Sequence, residues 1–106
     1  MIKAVRIKNE HDENIGFQLT GHADYAKRGK DIVCAATSAL VVNTINSIEN
    51  FTDDKFSFAE DEKSGLMEFI IVSDVSSESA LLMDSLFLGL QLIEHEYGKK
   101  FITVRA

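Results

Sequence analysis

Residues 21 to 38, GHADYAKRGKDIVCAATS, hold the only cysteine of the 106-residue chain, Cys34, and one of its three histidines, His22, twelve positions earlier. Those two residue types suit nucleophilic catalysis. A thiolate attacks carbonyl carbon, and an imidazole takes the thiol proton and later delivers it to a leaving amine. Asp31 is a good N-cap, so a helix starting after it places Cys34 at the third helical position. Unpaired backbone N–H groups and the helix dipole there favour negative charge on sulfur, and the same N–H groups are candidates to hold an oxyanion.

Asp31 itself cuts the other way. As a cap, its carboxylate bonds an amide near Cys34, and its charge opposes ionisation of the thiol. Its alternative use is to orient the imidazole of His22, as the third group of a triad does. One geometry cannot serve both fully. Ser38, one turn beyond Cys34 on a neighbouring face, is placed to hydrogen-bond the thiol or a bound substrate. The competing reading makes Cys34 a packing residue, since it shares a helical stripe with Val41, Ile45 and Ile48 and free cysteines are often buried. His11 and His95 are expected to be exposed. One cysteine and scattered histidines give no zinc spacing, and no phosphate-binding glycine motif is present, so no metal or cofactor is expected.

The elements that must position these residues follow from the periodicity. Met1–Lys8 reads as a strand, Asn9–Asn14 as a polar turn, and Ile15–Thr20 as its hairpin partner with Ile15, Phe17 and Leu19 on one face. Gly21–Lys30 is irregular between Gly21 and Gly29. A helix runs from Asp31 to about Glu49, and the alanines and valines around its first three turns predict wide burial. Lys55–Glu60 alternates, DEKSG makes a turn, and Gly65–Val72 is apolar enough for a central strand. A second helix opens at Ser76–Glu78 and ends near Gly98, before a short strand over Phe101–Val104. The order ββαββαβ implies one α+β sandwich domain over residues 1–106, with an antiparallel or mixed sheet and two helices packed on it. On the second helix, Leu82, Leu86, Leu90, Ile93 and Tyr97 suffice to face the sheet. Leu81, Leu88 and Leu92 form a further stripe, to be covered by the first helix or by a second copy of the chain, and the commonness of two-fold assembly favours a homodimer.

Eleven basic against 17 acidic residues give a formal charge of −6, which repels a phosphate backbone and makes nucleic acid an unsuitable direct ligand. Such a surface attracts a cationic partner, though acidity also simply keeps a protein in solution. A lone cysteine excludes an internal disulfide and points to a reduced, cytoplasmic setting. The alternating start, MIKAVRIKNE, is not an apolar leader, and the apolar runs fall short of a membrane span.

Gly21-His22-Ala23, then five residues, then Gly29, Asp31-Ile32-Val33-Cys34-Ala35-Ala36 and Ser38 resemble the signature of the ribosomal-processing cysteine protease family (Prp). The similarity extends to length, element order and acidity, with no departure at these positions. The resemblance implies a bacterial endopeptidase with a Cys–His dyad. Such an enzyme removes a short N-terminal extension, after an apolar Phe-rich stretch, from the large-subunit ribosomal protein numbered twenty-seven. It further implies a homodimer, with Cys34 as nucleophile, His22 as general base and acid, Asp31 and Ser38 in support, and Gly21 and Gly29 as hinges of the loop between them. The acidity then suits a basic ribosomal substrate, and an apolar groove beside Cys34 is required; Tyr25, Ile32 and Val33 are its candidates by proximity. Two other functions use the same residues: a non-catalytic acidic module that docks on the ribosome, with Cys34 in its core, and a thiol-dependent hydrolase of small acyl substrates.

Overall fold

Alternation makes the strands and a 3.6-residue repeat makes the helices, and the order they take is the expected one. In the computed structural model, which describes residues 1–105, β1 (Ile2–Lys8) and β2 (Asn14–Thr20) precede α1 (Ile32–Phe51); β3 (Phe56–Asp61) and β4 (Leu66–Ile71) precede α2 (Ser77–Tyr97) and β5 (Ile102–Arg105). The five strands form one sheet in the order β3-β4-β2-β1-β5. All pairs are antiparallel except β1 with β5, so the sheet is mixed. The middle strand is β2. The expected central strand, β4, is interior, paired with β3 on one side and β2 on the other; that β2 is the middle strand depends on contacts between distant segments that no local pattern encodes.

One face of the sheet carries the core. Ile2 and Ala4, Phe17 and Leu19, and Phe69 and Ile71 are buried in two-residue alternation. Phe17 lies opposite Phe69 in register, and their rings stack with centroids 5.1 Å apart, while Phe56 adds a third ring 4.8 Å from Phe69. Helix α2 buries Met83, Leu86, Phe87 and Leu90 against this face, and α1 contributes Val33, Val41 and Ile48.

Two expectations about α1 need correction. Its burial is confined to one stripe, Val33, Thr37, Val41, Thr44 and Ile48, whereas Ala35, Ala39 and Val42 are exposed. By length and composition it is also apolar enough to cross a bilayer, with a mean hydropathy of 1.4. Its polar Asn43 and Asn46 and its burial of Val33, Val41 and Ile48 in the common core are those of a core helix. The second leucine stripe of α2 stays uncovered by α1: Leu81, Leu88 and Leu92 are 69%, 60% and 61% exposed. His11 and His95 are exposed, as expected.

Phe69 anchors the stacked cluster, so truncating it leaves a cavity as well as losing burial. We expect Phe69→Ala to cost about 3–5 kcal/mol in a urea titration of the folded chain, with a loss under about 1 kcal/mol showing the cluster to be dispensable.

Candidate active site

Asp31 caps α1 with φ −85° and ψ 99°, and its Oδ1 accepts from the N–H groups of Val33 and Cys34, both at 3.0 Å. Its Oδ2 accepts from the N–H groups of Tyr25 and Ala26 at 2.9 and 3.4 Å. One carboxylate therefore ties the loop before the helix to the helix start. The choice left open by the sequence is settled as a cap: Asp31 spends both oxygens on backbone amides and none on His22. The same bonds overturn another expectation, because the Val33 and Cys34 amides are occupied and not free for an oxyanion.

Cys34 is half-buried at the edge of the buried stripe of α1 rather than within it. Its Sγ accepts from the N–H of Ala23, 3.3 Å away, which brings the segment carrying His22 onto the sulfur. The His22 ring is exposed, and its Nε2 lies 3.2 Å from the carbonyl oxygen of Lys63 in the β3–β4 turn. Among the described residues, no hydrogen bond joins His22 to Cys34. Both line two adjoining hollows, of about 660 and 300 Å3, that also share Ser38 and Glu62. Ser38 is exposed there without a recorded bond to the thiol. The larger hollow adds the loop residues Asp24, Ala26 and Gly29; the smaller adds Ile2, Leu19, Leu66 and Met67, together with Glu60 and Asp61.

Of the three groove candidates, only Ile32 lines a hollow. Val33 is fully buried in the core, and Tyr25 packs edge-on against Tyr97 and Phe101, 5.5 and 5.0 Å between centroids. The apolar lining instead comes from β1, β2 and β4, distant in sequence, and nothing local in those strands marks it. Gly21, at φ +83°, is held rather than loose: its amide donates to Ser64 O at 3.0 Å, and a Cβ there would lie 2.3 Å from the Met1 carbonyl oxygen. Gly29 has no atom within 4 Å of such a position.

The family model for cysteine protease Prp matches residues 1–102. The chain belongs to the Prp cysteine protease family. It is 30% identical over 102 residues to the ribosomal processing cysteine protease Prp of Bacillus subtilis, covering 92% of this chain and 90% of the relative. It is 32% identical over 81 residues to the protein of the same name in Staphylococcus aureus, covering 76% of each. The crystal structure of the essential ribosomal processing protease Prp from S. aureus with a covalently linked product peptide superposes at a TM-score of 0.89, with 28% identity, over 99% of this chain and 98% of that one.

In this Prp chain the Cys34 side chain rests as a thiol. Burial raises the pKa of Cys34, and the negative charges of Asp31 and Asp24 add to the rise; the Ala23 N–H works against them without prevailing. Burial works to raise Asp31 too, but the amide donors, that of Cys34 first, outweigh it and hold the carboxyl below its ordinary value. The clasp is therefore charged at neutral pH, at the expense of thiolate. Two consequences can be read from alkylation of Cys34 by iodoacetamide across pH. The wild-type rate should reach half its maximum above the ordinary thiol range, and Asp31→Asn should move the profile to lower pH by removing the adjacent charge. A wild-type profile at or below the ordinary range would contradict the assignment.

Proposed function

We propose that the chain is a cytoplasmic endopeptidase in which Cys34 is the nucleophile and His22 the general base and acid, acting on the N-terminal extension of the large-subunit ribosomal protein numbered twenty-seven. The observation that carries this reading is the meeting of Cys34, His22 and Ser38 at two adjoining hollows, at the start of α1, in a chain of the Prp family. The S. aureus relative has been crystallised with a substrate peptide and with a covalently linked product peptide. A peptide in the cleft excludes water, and the His22–Cys34 hydrogen bond then forms, as catalytic contacts often do only in the complex.

The proton of Sγ passes to His22, and the thiolate attacks the scissile carbonyl carbon, whose π electrons move to oxygen. As the oxyanion collapses, the C–N bond breaks and the amine leaves with the proton from imidazolium, giving a thioester on Cys34. Water then attacks this thioester, its proton taken by His22, and the C–S bond breaks to restore the thiol and release the new carboxylate. The raised pKa keeps the Cys34 sulfur protonated until a substrate is seated.

Substrate selection has two parts. Leu19, Leu66 and Met67 in the smaller hollow suit an apolar side chain near the cleavage point. Glu60 and Asp61 beside them, together with the net −6, suit a basic polypeptide and speed its arrival at low salt. Ser38 supports the bound peptide by hydrogen bonding, and Gly29 lets the loop shift as it enters. The uncovered Leu81, Leu88 and Leu92 on α2 form the contact of a homodimer.

Incubating the protein with that ribosomal protein, native N-terminus intact, and weighing the products tests the chemistry. Wild type should release a short N-terminal peptide, whereas Cys34→Ala and His22→Ala should not. An unchanged mass with all three would make the chain an acidic binding module instead. Sedimentation tests the assembly: wild type should run as a dimer and the double variant Leu88→Asp, Leu92→Asp as a folded monomer, and a monomeric wild type at micromolar concentration would remove the interface.

A further inference from the structure

Among the described residues, the His22 ring has one hydrogen-bond partner, the main-chain carbonyl of Lys63, 3.2 Å from Nε2. A carbonyl oxygen only accepts, so in the neutral imidazole Nε2 carries the hydrogen and the lone pair sits on Nδ1. Lys63 belongs to the turn between β3 and β4, residues 62–65, and that turn is fixed from inside and outside. From inside, Asp61 Oδ1 accepts from the Lys63 N–H at 3.3 Å, and its Oδ2 accepts from Ser64 Oγ at 2.8 Å. From outside, the Gly21 N–H, next to His22, donates to Ser64 O at 3.0 Å. Gly65 has φ +72°, and a Cβ there would lie 2.2 Å from the Gly21 carbonyl oxygen. So the turn can reach the backbone at His22 only with glycine at 65.

We infer that the β3–β4 turn is the third component of the site: the Lys63 carbonyl holds His22 in its Nε2–H form, Nδ1 is the atom that takes the Cys34 proton, and Asp61 and Gly65 are positioning residues for that carbonyl. The inference rests on the proteolytic reading. In Ser–His–Asp sites a carboxylate fixes the tautomer; here Asp31, the acid nearest Cys34 in sequence, is committed to four backbone amides and does not do it. When the Sγ–H bond breaks and Nδ1–H forms, the imidazolium keeps its Nε2–H on Lys63 O. The Nδ1 proton later leaves with the departing amine. Because the acceptor is a neutral carbonyl, it orients the ring without placing another negative charge beside the thiol, whose ionisation Asp31 and Asp24 already oppose.

The tautomer is read directly from long-range proton–nitrogen correlation spectra of 15N-labelled wild-type protein at a pH where His22 is neutral, with His22→Ala assigning the signal among the three histidines. The expected result is a protonated Nε2 and an unprotonated Nδ1. A dominant Nδ1–H form, or an even mixture, overturns the inference. Gly65→Ala and Asp61→Ala should each mix the tautomers and lower kcat by about tenfold or more, the Gly65 variant with KM within about twofold; Asp61→Asn, which keeps an acceptor oxygen, should recover most of the loss in kcat. Folded variants of both positions with unchanged tautomer and kcat would also overturn it. The spectrum needs no substrate, so the two readings fail separately. A chain that cleaves yet shows Nδ1–H defeats the inference alone. A chain that shows Nε2–H yet cleaves no peptide defeats the proteolytic reading and, with it, the catalytic part of this one.

Discussion

The carboxylate of Asp31 is the interaction on which the site depends. It satisfies two of the amides that a helix start leaves unpaired, and with its other oxygen it holds the Tyr25 and Ala26 amides of the preceding loop. Without it, α1 begins without its cap and the loop loses its tie to the helix that carries Cys34. An N-cap aspartate contributes about 1 kcal/mol in most helices; here the same group also sets where the chain runs across the cleft. The cost is electrostatic, because a fixed negative charge near Sγ favours thiol over thiolate. Geometry and ionisation pull in opposite directions at one residue, and in the free protein geometry wins.

That outcome changes what the helix start does. Two of its amides, which in isolation favour an anionic sulfur, are taken by the Asp31 carboxylate, whose negative charge opposes the dipole there. The remaining donor on Sγ is the Ala23 amide, delivered by the segment after β2. Imidazole and thiol are therefore brought near one another by three chain segments: the end of β2, the start of α1 and the β3–β4 turn. Gly21 and Gly65 make the approach of the first and third possible, since a side chain at either would collide with backbone. The Arg28–Glu62 ion pair also links loop and turn at the larger hollow, but both side chains are above 80% exposed, so water and salt screen it and it adds little to the hold of Asp31 on the loop.

Away from the cleft, the surface has two characters. Acidic residues outnumber basic ones, and Glu60, Asp61 and Glu62 are among the residues that line the smaller hollow. On α2 the leucines at 81, 88 and 92 lie open beyond the stripe that meets the sheet. The core itself is closed by the Phe17, Phe56 and Phe69 rings, so this leucine stripe is surplus to the fold and available for association.

The order of elements, the α+β class, the capping role open to Asp31 and the pairing of His22 with Cys34 as candidates were all legible in the chain, because each rests on local periodicity or on a short contiguous motif. Ends of strands and helices fell within a residue or two for the same reason. The three-dimensional structure decided what depends on segments far apart in sequence. It put β2 in the middle of the sheet with β4 beside it, packed Tyr25 against Tyr97 and Phe101, buried Val33 in the core, and lined the cleft with Leu19, Leu66 and Met67. It also fixed which of two uses Asp31 serves, since both oxygens are taken by amides whose positions only the folded loop supplies. The DEKSG turn reads in sequence as a mere reversal between strands. Its contact with His22 exists because β4 pairs with β2 and so carries the turn to the end of the strand from which Gly21 and His22 emerge.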